Sequence, residues 1–278
     1  MDARTIQTVG LGVATMLVGL VLLRIVSRAQ ARLAGENRAD RFSQVGEVVA
    51  VFLVSGAVAQ NSVSGGSFAR DAMVCAAYGL LGLALVVVTG RLSHRALLGG
   101  ALAAEVEKGN VAAGVATGAH YVATGLLVSK AVAGSDLRGI GLSVTFFVLA
   151  FVTLHLFIAL FRALTSYDDA EEIRGENVAA ALSYGGLAVS VALLVARALD
   201  GDFAGWSVSL RGYAVGVAWV LALYPVRQLV VQSLLLGAPP ALRGGRLDTA
   251  IAADRNLGMA ALEAATYLAT ALGIARLA

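Results

Sequence analysis

Long apolar runs constrain this chain more than any other feature. Residues 5–23 (TIQTVGLGVATMLVGLVLL) carry no charge, and only 14% of the whole chain is charged, against about 25% in a soluble domain. Runs of about 20 apolar residues are long enough to cross a bilayer as helices. A lipid-facing backbone must satisfy its own hydrogen bonds, which leaves helices or a closed barrel. Because strict alternation of polar and apolar residues is missing, the sequence predicts an all-α integral membrane protein.

Eight spans can be drawn, and four of them begin alike. The spans cover residues 6–26, 44–62, 72–91, 110–132, 139–162, 177–198, 209–231 and 256–276. Asn110 opens NVAAGVATG, Asn177 opens NVAAALSYG and Asn256 opens NLGMAALEA, and Gln44 opens QVGEVVAVF as a degenerate copy. The starts are separated by 66, 67 and 79 residues. Spacings of this length indicate repeated structural units.

Each predicted unit has one span that ends near an arginine, a polar connector, and one span that starts at Asn or Gln. The arginines are Arg24, Arg91, Arg162 and Arg227. An arginine at a span end can lay its stem along lipid and keep its head at the interface. Two spans return the chain to the same side, so all four units point the same way about an axis along the membrane normal. We expect two pseudo-symmetric membrane halves, 1–135 and 136–278, with a ring of four units as the alternative.

The orientation is predicted from the distribution of Lys and Arg. Fourteen of the 21 basic residues lie in or beside the connectors within the units, and seven lie on the side of the two termini. The positive-inside rule therefore predicts cytoplasmic connectors and periplasmic termini.

The segment LTSYDDAEEIRGENVAAALSYGG at 164–186 resembles the bacterial membrane family catalogued as domain of unknown function 350. Members of that family carry a Leu-Thr, an acidic stretch, and a Gly/Glu-Asn-Val-Ala-Ala start of a membrane helix. EVEKGNVAAGVATG at 105–118 has the same pattern, and RNLGMAALEA at 255–264 and SQVGEVVAVF at 43–52 have parts of it. The resemblance implies tandem copies over most of the chain, a bacterial inner-membrane location and a hint of stress response. It implies no established activity.

The polar residues that open the even spans have two interpretations. Asn is among the best helix N-caps, because its side-chain oxygen accepts a backbone N–H that the first turn leaves unpaired. This favours a structural role for Asn110, Asn177 and Asn256, with Gln44 as the fourth position. The functional alternative is that the four side chains converge at the cytoplasmic mouth of a cavity. Small residues four and eight places after each Asn predict close helix packing.

Four ionisable side chains inside the spans are the strongest functional candidates. Glu47 lies in the second span, His120 in the fourth, His155 in the fifth and Glu263 in the eighth. Charged groups in lipid are costly and usually face protein or water, and histidine titrates near physiological pH. These residues are therefore candidates for translocation. The structural alternative is a neutral side chain that hydrogen-bonds to a neighbouring helix.

Motifs for soluble enzyme chemistry are missing. The sequence has no GxGxxG, GxxxxGK[ST] or HExxH and no paired-cysteine metal spacing, so it predicts no enzyme, no cofactor and no metal site. The basic residues suit membrane topology, which argues against nucleic-acid binding. The first hypothesis is a small channel or transporter for protons, ions or a small polar solute. The second is a non-transporting scaffold or stress-response partner in the lipid bilayer, forming a homo-oligomer or binding a protein at its connectors.

Overall fold

The fold is all-helical over the residues that the structure, a computed structural model, describes: 2–31, 37–97, 102–132 and 134–277, with side chains described except at 26–31, 91–97 and 138. The helices in chain order are α1 (Ala3–Ala31), α2 (Arg38–Ser62), α3 (Phe68–Leu97), α4 (Leu102–Glu107), α5 (Val111–Ala131), α6 (Ile140–Ala163), α7 (Asp169–Arg174), α8 (Val178–Arg197), α9 (Trp206–Ala218), α10 (Leu223–Arg227), α11 (Arg246–Ala252) and α12 (Leu257–Leu277). Within these residues, eight stretches are long and apolar enough to cross a membrane, so the predicted fold class is confirmed.

The seventh span is one bent helix that runs from α9 to Leu235. A 3₁₀ turn at Trp219–Ala222 separates α9 from α10, and a π-helix at Gln228–Leu235 follows α10. Pro225 has no N–H to donate within the helix, so a regular helical ladder is interrupted around it. A π-helix is rare and frequently lies at a functional site.

The repeating unit has a short helix in front of its second span. The short helices α4, α7 and α11 precede α5, α8 and α12, and each is followed by one residue with positive φ and then by Asn. The residues with positive φ are Gly109, Glu176 and Arg255. A left-handed residue ends the short helix and redirects the chain, and the Asn then starts the long helix.

Asn37, and not Gln44, is the equivalent residue of the first unit. It precedes α2 and accepts a hydrogen bond from Asp40 N at 2.7 Å. Gln44 lies two turns inside α2 and donates to Asp40 Oδ2 at 2.6 Å. The predicted start of the second span was wrong because QVGEVVAVF matches the other starts in its apolar pattern and lacks their Asn.

The second spans of the four units form an open row, α2–α5–α8–α12. The outer helices bridge neighbouring members of this row: α3 packs on α2 and α5, and α6 packs on α5 and α8. Among the described residues, α2 and α12 form no extensive contact and lie at opposite ends of the row. The alternative of a closed ring of four units is therefore wrong.

Small residues set one register for all three interfaces of the row. The residue eight places after each cap Asn meets the residue nine places after the cap of the preceding helix. Gly118 meets Gly46, Gly185 meets Ala119, and Ala264 meets Gly186. A Cβ added at Gly185 would lie 2.8 Å from Ala119 Cβ, so the backbones approach closely. The predicted close packing of the small residues is confirmed.

Candidate functional site

The cap asparagines join each unit to the next. Asn110 Oδ1 accepts from Ala113 N at 3.1 Å, and its Nδ2 donates to Ile173 O at 2.8 Å, on α7 of the next unit. Asn177 repeats both bonds, to Ala180 N at 3.1 Å and to Ile251 O at 3.0 Å on α11. Both side chains are buried. The capping interpretation is thus confirmed, with an inter-unit hydrogen bond added to it.

The cap residues do not converge on one cavity. They are spaced along the row, one at the start of each row helix, and Asn37 likewise donates to Val106 O at 2.9 Å on α4. Asn256 caps α12 by accepting from Met259 N at 3.1 Å. It is exposed, and in the described part of the chain its Nδ2 has no acceptor. The alternative in which the four side chains converge at the mouth of one cavity is wrong, because each unit is displaced from the preceding one along the row.

A charged cluster is buried in the fourth unit. Arg227, on α10, has an exposed fraction of 0%. Its Nη2 donates to Asp248 Oδ1 on α11 at 2.5 Å, and its Nε donates to Glu263 Oε1 on α12 at 2.6 Å. The guanidinium also lies over the Tyr224 ring, 5.5 Å from the ring centroid. The predicted placement of Arg227 at the lipid interface was wrong, because two carboxylates draw the side chain inward.

Hydroxyl groups complete the coordination of both carboxylates. Ser183, on α8, donates to Glu263 Oε2. Ser166 donates to Asp248 Oδ2 through its backbone N at 2.7 Å and its hydroxyl at 3.2 Å. We use the term charged cluster for Arg227, Asp248, Glu263, Ser183 and Ser166. It holds one cation and two carboxylates. A buried charge is costly unless it is paired, and Arg227 pairs with both carboxylates.

A second ion pair lies beside the charged cluster, at the start of α7. Arg162 Nε contacts Asp169 Oδ2 at 3.1 Å. Burial raises the pKa of Asp169 from 3.8 to about 7, although Arg162 acts in the opposite direction. Burial also raises the pKa of the neighbouring Tyr167, and the negative charges of Asp169 and Glu263 add to this shift. The connector side of the cluster therefore has a carboxyl that titrates near neutral pH.

Two of the predicted histidines meet in the middle of the bundle. The rings of His120 on α5 and His155 on α6 lie 5.3 Å apart between centroids. His155 Nδ1 lies 2.8 Å from Phe151 O. A carbonyl oxygen only accepts, so Nδ1 carries the proton in the neutral ring and Nε2 has the lone pair. Tyr184 Oη lies 3.4 Å from His120 Nδ1.

Adjacent residues of α8 contact the charged cluster and the histidine pair. Ser183 faces Glu263 on α12, and Tyr184 faces His120 on α5. Tyr184 lies seven residues after the cap of α8, which is about 10 Å along the helix axis. The polar side chains thus extend from the connectors to mid-membrane, along the most buried helix of the row.

The other predicted candidates lie elsewhere. Glu47 is half-buried on α2, at the far end of the row from Glu263, and Gln44 lies one turn before it on the same helix. Arg24 is exposed, as the interface prediction requires, and the side chain of Arg91 lies outside the described residues. Asp248, Asp169, Ser183 and Tyr184 were not identified from the sequence. The one sequence feature that indicates a polar site here is Arg227, a charged residue four places before the end of a predicted span.

A separate cavity opens on the side of the two termini. It has a volume of about 540 Å³ and lies between α6, α8 and α9. Lys130 and Arg197 line it and both contact Asp200, at 2.7 and 3.4 Å. Phe146 lines the cavity and stacks on Trp206, with 6.0 Å between ring centroids. Over the described residues, no three His, Cys, Asp or Glu side chains are grouped to hold a metal ion.

These features define a class: a multi-pass α-helical membrane protein built from four parallel two-helix units in one open row. The chain belongs to the family described as Domain of Unknown Function (DUF350), whose family model matches residues 3–132 and again 135–277. Each match spans two of the two-helix units. No curated protein and no solved structure matches the chain.

Proposed function

We propose that this protein transports protons, and that the charged cluster and the histidine pair form its relay. The observation that carries the proposal is the buried Arg227, which pairs with Asp248 and Glu263. Glu263 accepts a hydrogen bond from Ser183 on α8, and Tyr184 of the same helix contacts His120. Ionisable groups inside a membrane protein are expensive to bury and commonly belong to ion or proton pathways.

The chemistry of the two groups suits proton transfer. The charged cluster holds two carboxylates beside one guanidinium, and the hydroxyl of Ser183 can both donate and accept a hydrogen bond. His155 presents a buried lone pair on Nε2, for which the described residues offer no donor. Asp169, with its pKa near 7, lies where a proton would enter from the connectors. The relay exchanges only protons between O–H and N–H groups and converts no substrate, so we propose a transporter and not an enzyme.

The closed interfaces of the row favour protons over larger solutes. Gly and Ala bring the backbones of α2, α5, α8 and α12 into direct contact, as at Gly125, whose added Cβ would lie 2.6 Å from Ala50 Cα. A proton needs only hydrogen-bonding side chains or single waters, and not a passage of solute width. With cytoplasmic connectors in the bacterial inner membrane, the relay would open towards the cytoplasm.

Proton flux into liposomes tests the proposal. The purified protein is reconstituted around a pH-sensitive dye, and a potassium gradient with valinomycin drives the flux. We expect flux with the wild type and its loss in Glu263→Gln, because Gln keeps the shape of Glu263 but cannot take up and release a proton. Glu47→Gln is the matched control, since it is the same substitution on α2, away from the charged cluster.

Two further results distinguish the relay from a general effect of substitution. Asp169→Asn and His155→Phe should each lower the flux, while gel filtration and thermal unfolding show that the variants remain folded. Absence of flux with the wild type would reject the proposal and leave the scaffold hypothesis. Equal flux in Glu263→Gln and the wild type would remove the charged cluster from any transport path.

A further inference from the structure

We propose that the cavity on the side of the two termini binds a zwitterionic phospholipid, with the headgroup at a charged wall and an acyl chain along an apolar wall. The charged wall consists of Lys130, Arg197, Asp200 and Asp202, and the apolar wall consists of lining residues of α6 and α9. The charged cluster and the histidine pair do not line this cavity. The inference is therefore independent of the proposed proton transport.

The two cations of the charged wall occupy equivalent positions in neighbouring units. Lys130 lies in the last turn of α5, twenty residues after Asn110, and Arg197 lies in the last turn of α8, twenty residues after Asn177. Lys130 Nζ and Arg197 Nη1 contact the carboxylate of Asp200 at 2.7 and 3.4 Å, and the two basic side chains remain 48% and 41% exposed. An ammonium has three N–H donors and a guanidinium has five. Both cations thus keep donors that can bind a phosphate.

The carboxylates of the charged wall determine which headgroup fits. Asp202 lies in the exposed connector between α8 and α9, two residues after Asp200, and no described residue forms an ion pair with it. Among the described lining residues, two cations balance two carboxylates. A basic pocket selects an anionic headgroup, whereas a lining without net charge suits a headgroup that is neutral overall. The phosphate of a zwitterionic headgroup would contact Lys130 and Arg197, and its amine would contact Asp202.

The apolar wall is long and open towards the lipid. On α9 it contains Val208, Gly212, Val215 and Trp219, which share one face of the helix because they are three or four residues apart. Val208 and Val215 are each 62% exposed, and Trp219 is 49% exposed. From Val208 to Trp219 the wall extends about 16 Å along the helix axis. A wall of this length is longer than a headgroup and suits an acyl chain.

Aromatic side chains place the cavity at the membrane interface and also provide a probe for it. Phe146 lines the cavity and stacks on Trp206, and the Phe203 ring lies edge-on to Trp206 with 5.2 Å between centroids. Tryptophan is enriched at the level of the lipid headgroups. The chain has two tryptophans, Trp206 and Trp219. Because both lie at this cavity, their fluorescence reports a lipid bound there.

Quenching of tryptophan fluorescence by brominated lipids tests the proposal. The purified protein is freed of lipid in detergent and is titrated with phosphatidylethanolamine or phosphatidylglycerol, both with the same brominated acyl chains. We expect phosphatidylethanolamine to reach half-maximal quenching at a several-fold lower concentration, because only its headgroup carries both a phosphate and an amine. Equal or stronger quenching by phosphatidylglycerol would overturn the proposal. Reversal of the quenching by glycerophosphoethanolamine at equal concentration would overturn it too, since that compound has no acyl chains.

Substitutions in the charged wall make the test specific to this cavity. Arg197→Gln should raise the half-maximal phosphatidylethanolamine concentration several-fold. Arg276→Gln is the matched control, because Arg276 lies twenty residues after Asn256 in the last turn of α12, is exposed and does not line the cavity. Asp202→Lys leaves one carboxylate among three cations, so it should reverse the preference in favour of phosphatidylglycerol. An unchanged preference in Asp202→Lys would show that the cavity does not bind the headgroup.

A substitution in the apolar wall tests the position of the acyl chain. A Cβ added at Gly212 would meet nothing within 4 Å, so Gly212→Leu projects into the cavity without displacing a neighbour. We expect this variant to lose most of the quenching by phosphatidylethanolamine, while gel filtration and circular dichroism show that it remains folded. Quenching of folded Gly212→Leu at the level of the wild type would place the lipid outside the cavity and overturn the proposal.

Discussion

At the scale of single residues, one asparagine performs two structural tasks. Its oxygen caps the helix that it starts, and its amide nitrogen binds the end of a short helix in the next unit. An ordinary N-cap uses only the oxygen. Asn37, Asn110 and Asn177 make both bonds, whereas Asp in their place would cap the helix without the second bond.

The two tasks can be separated by comparing Asn177→Ala with Asn256→Ala. Loss of a cap costs about 0.5–2 kcal/mol, and both variants lose one. Asn177→Ala also leaves the carbonyl of Ile251 without a side-chain donor in a buried place, which adds about 1–3 kcal/mol. We expect Asn177→Ala to be the more destabilising of the two, as measured by reversible unfolding of monomeric protein in detergent. Equal losses would mean that the inter-unit bond contributes nothing.

The residues of the charged cluster show why the site was only partly predictable. Glu263 and the histidines were identified because an ionisable residue in an apolar run stands out in the sequence. Asp248 lies in a polar connector, where an acidic residue is ordinary, so nothing in the pattern marks it. Arg227 has the position of a lipid-interface arginine, and only the packing of α11 against the bent helix turns it inward. Tertiary contacts between distant residues leave no periodic signal.

At the scale of helices, glycine positions decide how closely the row packs. Gly46 and Gly56 lie on the same helix, α2, in different surroundings. A Cβ at Gly46 would collide with the Gly118 backbone, whereas a Cβ at Gly56 meets nothing within 4 Å. Substitution of each glycine by Ala therefore separates two contributions to stability on one helix: close packing at Gly46 and helix propensity at Gly56.

We expect Gly46→Ala and Gly56→Ala to change stability in opposite directions. Overpacking of a close interface costs about 1–3 kcal/mol, so Gly46→Ala should destabilise the protein. Gly56→Ala should be neutral or stabilising by up to about 1 kcal/mol, because Ala is the better helix former. Unfolding in mixed micelles monitored by circular dichroism gives both values. Destabilisation by Gly56→Ala as large as that by Gly46→Ala would refute the assigned interface.

The helices themselves were largely predictable, because lipid imposes a length and an apolar composition on every span. The eight spans follow directly from that constraint. The start of α2 was misplaced by six residues, since Arg38, Asp40 and Arg41 made its first turns look like connector. Pro225 indicates an interruption of the seventh span, but nothing in the sequence indicates that a π-helix follows it. Within the π-helix, Gln228 accepts a hydrogen bond from Ala241 N of the connector, and Gln232 accepts one from Leu247 N of α11.

At the scale of the whole molecule, parallel units place all the short helices on one side. Each unit crosses the membrane twice, so α4, α7 and α11 lie together and the two termini lie opposite. The charged cluster is on the side of the short helices, and the cavity lined by Lys130 and Arg197 is on the other. The two faces of the molecule therefore differ in chemistry, and the orientation decides which compartment each one meets.

Labelling of single cysteines determines that orientation. In a Cys75→Ser background, Asp254→Cys lies in an exposed connector beside α12, and Asp202→Cys lies in the exposed loop between α8 and α9. The two-to-one excess of basic residues at the connectors predicts that they face the cytoplasm. In intact bacterial cells, we therefore expect a membrane-impermeant maleimide to label Asp202→Cys, and to label Asp254→Cys only after permeabilisation. The reverse pattern would open the relay to the periplasm, and labelling of both from outside would contradict the parallel arrangement of the units.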